Sequence, residues 1–110
     1  MAISEYSTNS QACTLDVEHT LDTITAGGTF VLTVDLNVLV AGDVLVVRCY
    51  DKVTSGSTSR LIYTAVYEGV QADPIMVTKP FSAPHEAKFS IEQTDGTGRT
   101  FDWSIRQLDS

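Results

Sequence analysis

Alternation of apolar and polar residues at a period of two is the feature that most constrains what this chain can fold into. In the clearest run, Phe30, Leu32, Val34 and Leu36 alternate with Val31, Thr33, Asp35 and Asn37. This period is typical of a half-buried β-strand. The composition agrees, because 12 Val, 6 Ile and 14 Thr make 32 of the 110 residues β-branched, and such side chains fit a pleated sheet better than a helix. The chain is therefore predicted to be all-β.

The strands predicted from this alternation number about seven. Turn sequences separate them roughly every 8–14 residues, which is the spacing of a sandwich or a barrel. We predict an antiparallel β-sandwich, immunoglobulin-like or jelly-roll-like. The predicted strands cover residues 12–19, 30–37, 44–51, 60–68, 75–79, 87–93 and 100–106. The predicted core consists of Leu15, Val17, Phe30, Leu32, Val34, Leu45, Val47, Phe89, Ile91, Trp103 and Ile105.

Three local sequences refine this topology. The Val-rich run 44–51 has little alternation and is predicted to be a central strand covered on both faces. Asp95-Gly96-Thr97-Gly98 has the composition of a hairpin turn. Residues 81–85 (FSAPH) are predicted to be a loop.

The domain organisation is predicted from length and from the polar N-terminus. A chain of 110 residues suits one domain. Residues 1–11 are polar, so we predict an N-terminal arm that becomes ordered on a partner, followed by a β-sandwich domain over residues 12–110. Ile3 and Tyr6 are the apolar candidates for assembly contacts within this arm, around a short strand at residues 3–7.

The net charge of −7 narrows the classes of partner. A nucleic-acid binder would need basic side chains to neutralise phosphates, so no nucleic-acid partner is expected. No apolar run approaches the roughly 20 residues of a membrane span, and no signal peptide opens the sequence. We therefore expect no membrane partner.

Two cysteines, Cys13 and Cys49, both lie in strand-like runs. A disulfide between neighbouring strands is one alternative. Buried, reduced thiols are the other, and they are the commoner outcome without a secretory signal.

Catalytic and metal-binding patterns are not found in the sequence. Nucleophilic catalysis usually needs a histidine base, but His19 falls on the apolar face of a predicted strand and His85 in a loop. The 14 acids are spread along polar faces and turns, and no calcium-loop pattern is present. Asp43 and Asp95 are predicted to be turn residues that cap backbone amides. We expect no enzyme activity, no cofactor and no metal.

Aromatic residues offer a further class, a glycan-binding module for host attachment. Tyr50, Tyr63, Tyr67 and Trp103 would then form an exposed stacking platform. The alternative is that Trp103 and Tyr63 belong to the core, because a small sandwich needs its few large rings inside.

Assembly with other proteins is the role that this composition favours. Ser and Thr make up 24 of the 110 residues, giving uncharged polar sheet faces that can meet a protein without burying many charges. The segment from Ile75 to Lys79 is bounded by Pro80 and is predicted to be an edge strand. Ile75 and Val77 are therefore candidate assembly residues.

Two segments carry a resemblance to a known group of proteins. The run FVLTVDLNVLVAGDVLVVRCYDKV (residues 30–53) and the ending IEQTDGTGRTFDW (residues 91–103) resemble small structural proteins encoded beside capsid and tail genes in tailed bacteriophages. The resemblance spans about residues 12–108 and consists of strand-and-turn patterns. It transfers no catalytic or binding residue.

The resemblance implies a virion protein made in the host cytoplasm and located on the capsid surface, where it decorates or cements the shell. The implied partners are the major capsid protein or other virion subunits, together with further copies of the same chain, for which a trimer is one implied arrangement. A tail or head-fibre sandwich domain is the alternative within the same class.

Overall fold

The computed structural model describes residues 2–109, and the side chains of residues 4–108. This part of the chain contains nine strands and no helix, which confirms the predicted all-β sandwich. The strands are β1 (Ala2–Ala12), β2 (Glu18–Ile24), β3 (Gly28–Asp35), β4 (Val44–Asp51), β5 (Arg60–Glu68), β6 (Ile75–Val77), β7 (Phe81–Ala83), β8 (Ala87–Asp95) and β9 (Thr100–Asp109).

The strands form two antiparallel sheets. Sheet A has the order β1-β9-β3-β6, with β7 also paired to β3, and sheet B has the order β2-β8-β4-β5. Among the strands of residues 2–109, β4 and β5 are the only consecutive pair that hydrogen-bond to each other. Six of the eight connections between the described strands cross from one sheet to the other, so the chain joins the two sheets repeatedly at the ends of their strands.

The core lies between the sheets. Nine of the eleven predicted core residues are confirmed, and each is at most 6% exposed: Phe30, Leu32, Val34, Leu45, Val47, Phe89, Ile91, Trp103 and Ile105. The central position predicted for residues 44–51 is also confirmed, since β4 lies between β8 and β5.

The prediction was wrong for Leu15 and Val17, which are 38% and 42% exposed. Residues 13–17 form a turn between β1 and β2, in which the Val17 amide donates to the Thr14 carbonyl at 3.2 Å and Asp16 has a left-handed φ of 62°. The alternation of residues 13–19 therefore comes from a turn and the start of β2, and only its end is a strand.

The segment predicted as an arm lies within sheet A. From Ala2 to Ala12 it forms β1, which pairs with β9 through ten residue pairs. A register shift between Glu5 and Ser7 places Tyr6 in a bulge, and its ring meets the Phe30 ring edge-on at 5.5 Å. Met1 and the side chain of Ile3 lie outside the described residues.

Two turn predictions were also wrong. The sequence 95–98 does not form a hairpin, because β8 belongs to sheet B and β9 to sheet A. Residues 81–85 include the short strand β7, which pairs with the first residues of β3.

Asp43 stabilises the segment in which the chain crosses from sheet B to sheet A after β8. This carboxylate is 2% exposed and accepts hydrogen bonds from the Val40 amide at 3.1 Å, the Thr97 amide at 3.2 Å and Arg99 Nε at 2.9 Å. Gly96 follows with a φ of 90°, and a side chain at this position would collide with Asp43. The β3–β4 loop therefore holds the crossover in place.

Gln93 completes this end of the sandwich. It is fully buried, donates through Nε2 to the carbonyls of Asp95 at 3.1 Å and Thr97 at 2.7 Å, and accepts from the Arg99 amide at 2.9 Å. The turn prediction for Asp43 is confirmed, whereas the buried role of Gln93 has no signature in the sequence.

Candidate assembly surface

Exposed aliphatic side chains are concentrated on one side of the sandwich. Twelve large hydrophobic residues are exposed among the described side chains, and eight of them lie on β5, on β6 and on the two loops next to these strands. We call these eight residues the β5–β6 side: Val38, Val40, Leu61, Ile62, Val66, Val70, Ile75 and Val77.

The topology brings these elements together. β5 is the last strand of sheet B and β6 the last strand of sheet A, and residues 69–74 join them directly. The Leu36 amide donates to the Pro74 carbonyl at 2.6 Å, and the Gly69 amide donates to the Asp43 carbonyl at 2.9 Å. These hydrogen bonds join both ends of the β3–β4 loop, which contains Val38, to the ends of the β5–β6 loop, which contains Val70.

The structure separates the predicted assembly residues into two groups. Ile75 and Val77 lie on β6, are 52% and 55% exposed, and flank the buried Met76. The edge position predicted for this strand is confirmed. Tyr6, 40% exposed, and the backbone of Ile3 lie on β1, at the opposite edge of sheet A. Three strand spacings of about 4.8 Å separate these edges.

Strand β5 was not among the predicted assembly elements. Leu61, Ile62 and Val66 are 50%, 48% and 55% exposed on this strand. The signal available in the sequence was the presence of apolar residues on both faces of the run RLIYTAVYE, but its edge position depends on the order of the sheet, which the sequence does not show.

The outer face of sheet B carries a network of polar side chains that hydrogen-bond to one another. Glu18 on β2 accepts hydrogen bonds from Ser90 and, at 2.5 Å, from the Tyr50 hydroxyl. Arg48 on β4 binds Glu92 at 2.8 Å and lies 3.7 Å from Glu18. Burial acts to raise the pKa of Glu18, but the bonds from Ser90 and Tyr50 and the nearby Arg48 outweigh it and lower the pKa. This face is therefore stabilised internally.

The outer face of sheet A has a shallow depression of about 240 Å³. Asp35 on β3 and Asp102 on β9 line it together with Arg106, and Ile75 of the β5–β6 side forms part of its rim. Thr33 lies in its wall, 7% exposed, with an Oγ1 that has no hydrogen-bond partner. Carboxylates outnumber cations here, because Glu5 also lines the depression.

The aromatic side chains do not form an exposed platform. Trp103 is 6% exposed, and Tyr63 and Tyr67 are half-buried and pack against the core. The Tyr50 ring is covered by Lys88, whose Nζ lies 4.4 Å from the ring centroid. The arrangement expected of a sugar-stacking surface is therefore missing from these four residues.

The nucleophilic and metal-binding groups are placed as follows. Cys13 and Cys49 are free and buried, and burial raises their pKa values to about 11 and about 12, so both are neutral thiols near pH 7. His19 Nε2 accepts a hydrogen bond from the Thr14 amide at 3.1 Å. Within the described part of the chain, no three His, Cys, Asp or Glu side chains are grouped so that they could hold a metal ion.

Comparisons with known proteins find no match: no family model, no curated protein and no solved structure matches the chain. Among residues 2–109, no helix has the length and apolarity needed to cross a membrane.

Proposed function

We propose that the protein is a non-enzymatic virion subunit that decorates or cements the exterior of a tailed-phage capsid, and that it binds there through the β5–β6 side. The virion assignment rests on the resemblance of residues 30–53 and 91–103. The binding role rests on the concentration of eight of the twelve exposed large hydrophobics on one side of the molecule.

Such a concentration of exposed aliphatic side chains is typical of an interaction site. Exposed apolar residues scattered singly are normal, but groups of them mark surfaces that another protein covers. A shell presents many equivalent binding sites, so modest contacts per copy can hold each subunit when several are linked. The major capsid protein, or another virion subunit, is the proposed partner.

Edge strand β6 offers a specific mode of attachment. It contains three residues and pairs with β3 alone among the described strands, while Ile75 and Val77 remain exposed. An extended segment of a partner could add to this edge by backbone hydrogen bonds, with apolar contacts to the alternate side chains.

Co-sedimentation with capsids tests this proposal. Expanded capsids of the encoding virus, prepared without this protein, are mixed with wild type or with the double variant Ile75→Lys/Val77→Lys. We expect wild type to pellet with the shells and the variant to stay in the supernatant, because two charges would be buried at the contact. The matched control is Val17→Lys/Val53→Lys, which changes two other exposed valines. Equal binding of both variants would contradict the proposal.

Location on the particle is decided by cryo-electron microscopy of intact virions. Density for the sandwich on the capsid supports the proposed role, whereas density on the tail or a head fibre would assign the protein to the alternative within the same class.

A glycan-binding module is the second candidate, favoured by the depression on sheet A. Its carboxylates Asp35 and Asp102 and its Arg106 are groups that bind sugar hydroxyls. The buried Trp103 and the covered Tyr50 weaken this candidate. A glycan array separates the two roles: sugar binding lost in Asp35→Asn/Asp102→Asn, together with no shell binding, would reverse the order of preference.

A further inference from the structure

Strand β5 is a long free edge with few of the features that prevent edge-to-edge pairing. It has nine residues and pairs only with β4 in the described structure. Natural edge strands are protected by lysine, proline, short length or bulges. β5 contains no Lys or Pro, and its only charges are at its two ends, Arg60 and Glu68.

The order of residue types along β5 is roughly symmetric about its central residue. In the sequence RLIYTAVYE the central residue is Thr64. Residues at equal distances from it are Tyr63 and Ala65, Ile62 and Val66, Leu61 and Tyr67, and Arg60 and Glu68. The two charges at the ends have opposite sign. A strand of this kind is complementary to an antiparallel copy of itself.

We propose that two copies of the protein associate through antiparallel β5–β5 pairing across a two-fold axis at Thr64. A two-fold contact is isologous, so the same patch on both subunits must be self-complementary. Pairing joins the two copies of sheet B into one eight-stranded sheet, in the order β2-β8-β4-β5 and then the same strands reversed.

Two pairs of this register join side chains of complementary type. Arg60 lies opposite Glu68 of the second copy at both ends, and Ile62 lies opposite Val66 of the second copy. Ile62 and Val66 are 48% and 55% exposed in one copy, and Thr64 is also exposed. Opposite charges and β-branched pairs directly across an antiparallel ladder stabilise it, whereas like charges destabilise it.

The remaining pairs fit by size. Leu61 lies opposite Tyr67 of the second copy, and Tyr63 lies opposite Ala65, so a large ring meets a small side chain. The 50% exposed Leu61 would be covered by this contact. Each of the nine residues thus has a partner of suitable type when β5 is read as one continuous register, which the structure shows for Tyr63–Glu68.

One feature of β5 opposes the pairing. The register between β4 and β5 shifts between Cys49 and Tyr50, which leaves Ile62 as an extra residue in β5. Bulges of this kind bend a strand and discourage edge pairing. The register must therefore be tested directly, and not only the presence of an oligomer.

This inference builds on the assembly role proposed above and divides the β5–β6 side between two partners: β5 contacts a second copy, and β6 with its neighbouring loops contacts the shell. The two contacts are measured separately. Self-association is measured with the purified protein alone, and shell binding with added capsids. A protein that binds shells but stays monomeric would overturn the β5 proposal and leave the assembly role standing. A trimer in solution would also overturn it, since a two-fold contact closes with two copies.

A lysine on the two-fold axis tests the contact. Thr64→Lys places a charge opposite its own copy, and we expect dimers seen by sedimentation velocity at micromolar concentration to dissociate. The matched control is Thr20→Lys, an exposed threonine on β2 at the other edge of sheet B, which should leave the dimer intact. Equal weakening by both variants would overturn the proposal.

Charge reversal tests the register. Arg60→Glu and Glu68→Arg each place like charges opposite one another at both ends of the ladder. At about 0.15 M NaCl, where repulsion between the net charges is weak, we expect each single variant to raise the dimer dissociation constant by about tenfold. The double variant Arg60→Glu/Glu68→Arg restores opposite charges and should restore wild-type affinity. Absence of this rescue would overturn the register.

A single cysteine at the axis gives a covalent readout. In Thr64→Cys the new thiols of two copies face each other, and mild oxidation should yield a disulfide-linked dimer. Cys13 and Cys49 are buried, so they do not compete. Thr20→Cys is the control; equal cross-linking of both variants would show random collision and contradict the pairing.

Discussion

At the scale of single residues, Asp43 is a buried carboxylate that connects two distant parts of the chain. Its carboxylate joins the β3–β4 loop to the β8–β9 crossover, more than fifty residues further along the chain. Burial acts to raise the pKa of Asp43, but the hydrogen bonds from Val40, Arg99 and Thr97 outweigh it and hold the pKa below its usual value. The carboxylate is therefore charged and fully bonded at neutral pH.

Replacing Asp43 should destabilise the fold. Asp43→Ala leaves two backbone amides and Arg99 without their acceptor, and we expect a loss of about 2–3 kcal/mol in the free energy of unfolding. Breaking a fully buried pair costs more, but Arg99 is 31% exposed and can regain water. Urea unfolding followed by Trp103 fluorescence measures the change. Asp95→Ala, which removes an exposed acid, should change stability little; equal losses in the two variants would contradict the role of Asp43.

The lowered pKa of Asp43 also predicts a pH dependence. A carboxyl whose pKa is lower in the folded than in the unfolded state stabilises the fold above its unfolded pKa, and this contribution is lost as the pH falls through the folded pKa. Wild type should therefore lose more stability than Asp43→Asn between about pH 5 and pH 2.5. Urea midpoints at several pH values measure the difference. Because Glu18 is present in both proteins, parallel curves would mean that Asp43 contributes nothing to acid sensitivity.

At the scale of strands, the sequence predicts those whose side chains alternate against the core. β3, β8 and β9 were found near their observed positions because each buries every second residue, as Phe30, Phe89 and Trp103 show. β1 could not be found in this way. Each of its described side chains, from Ser4 to Ala12, is exposed or half-buried, so backbone pairing with β9 holds it and leaves no apolar pattern.

The sheet that a strand joins after a turn is harder to predict than the turn itself. The sequence Asp95–Gly98 correctly indicates a turn, but it does not show whether the next strand returns to the same sheet. The crossover is held by a distant group, Asp43, together with the neighbouring buried Gln93. For the same reason the β5–β6 side was only half predicted. Pro80 marks β6 as an edge within its own sequence, whereas nothing local marks β5.

Removing β1 tests how far the sandwich depends on it. A chain that starts at Ala12 should still fold, because little apolar surface is lost with β1, but with a lower unfolding midpoint, because the ladder to β9 is missing. It should also self-associate, since β9 becomes a free edge. Near-ultraviolet circular dichroism of Trp103 and sedimentation velocity measure the two effects. A truncated chain without tertiary signal would show that β1 is essential to the core.

At the scale of the whole molecule, the net charge of −7 opposes any contact between copies. Two such molecules about 30 Å apart, the intermediate dimension of the sandwich, repel each other by about 2 kcal/mol at 0.01 M salt and by only a few tenths at 0.15 M. The end pairs between Arg60 and Glu68 act in the opposite direction. As exposed ion pairs they contribute less than about 1 kcal/mol each, and salt weakens them too.

Between these two salt concentrations the repulsion changes more than the attraction of the end pairs, so added salt should strengthen the β5–β5 dimer. We expect the dissociation constant to fall by about tenfold between 0.01 M and 0.15 M NaCl, measured by sedimentation equilibrium. The double variant Arg60→Gln/Glu68→Gln keeps the net charge and removes the end pairs, so its dissociation constant should fall with salt more steeply than that of wild type. A wild-type dimer that weakens as salt is added would mean that the end pairs dominate the contact and that the apolar ladder between them contributes little.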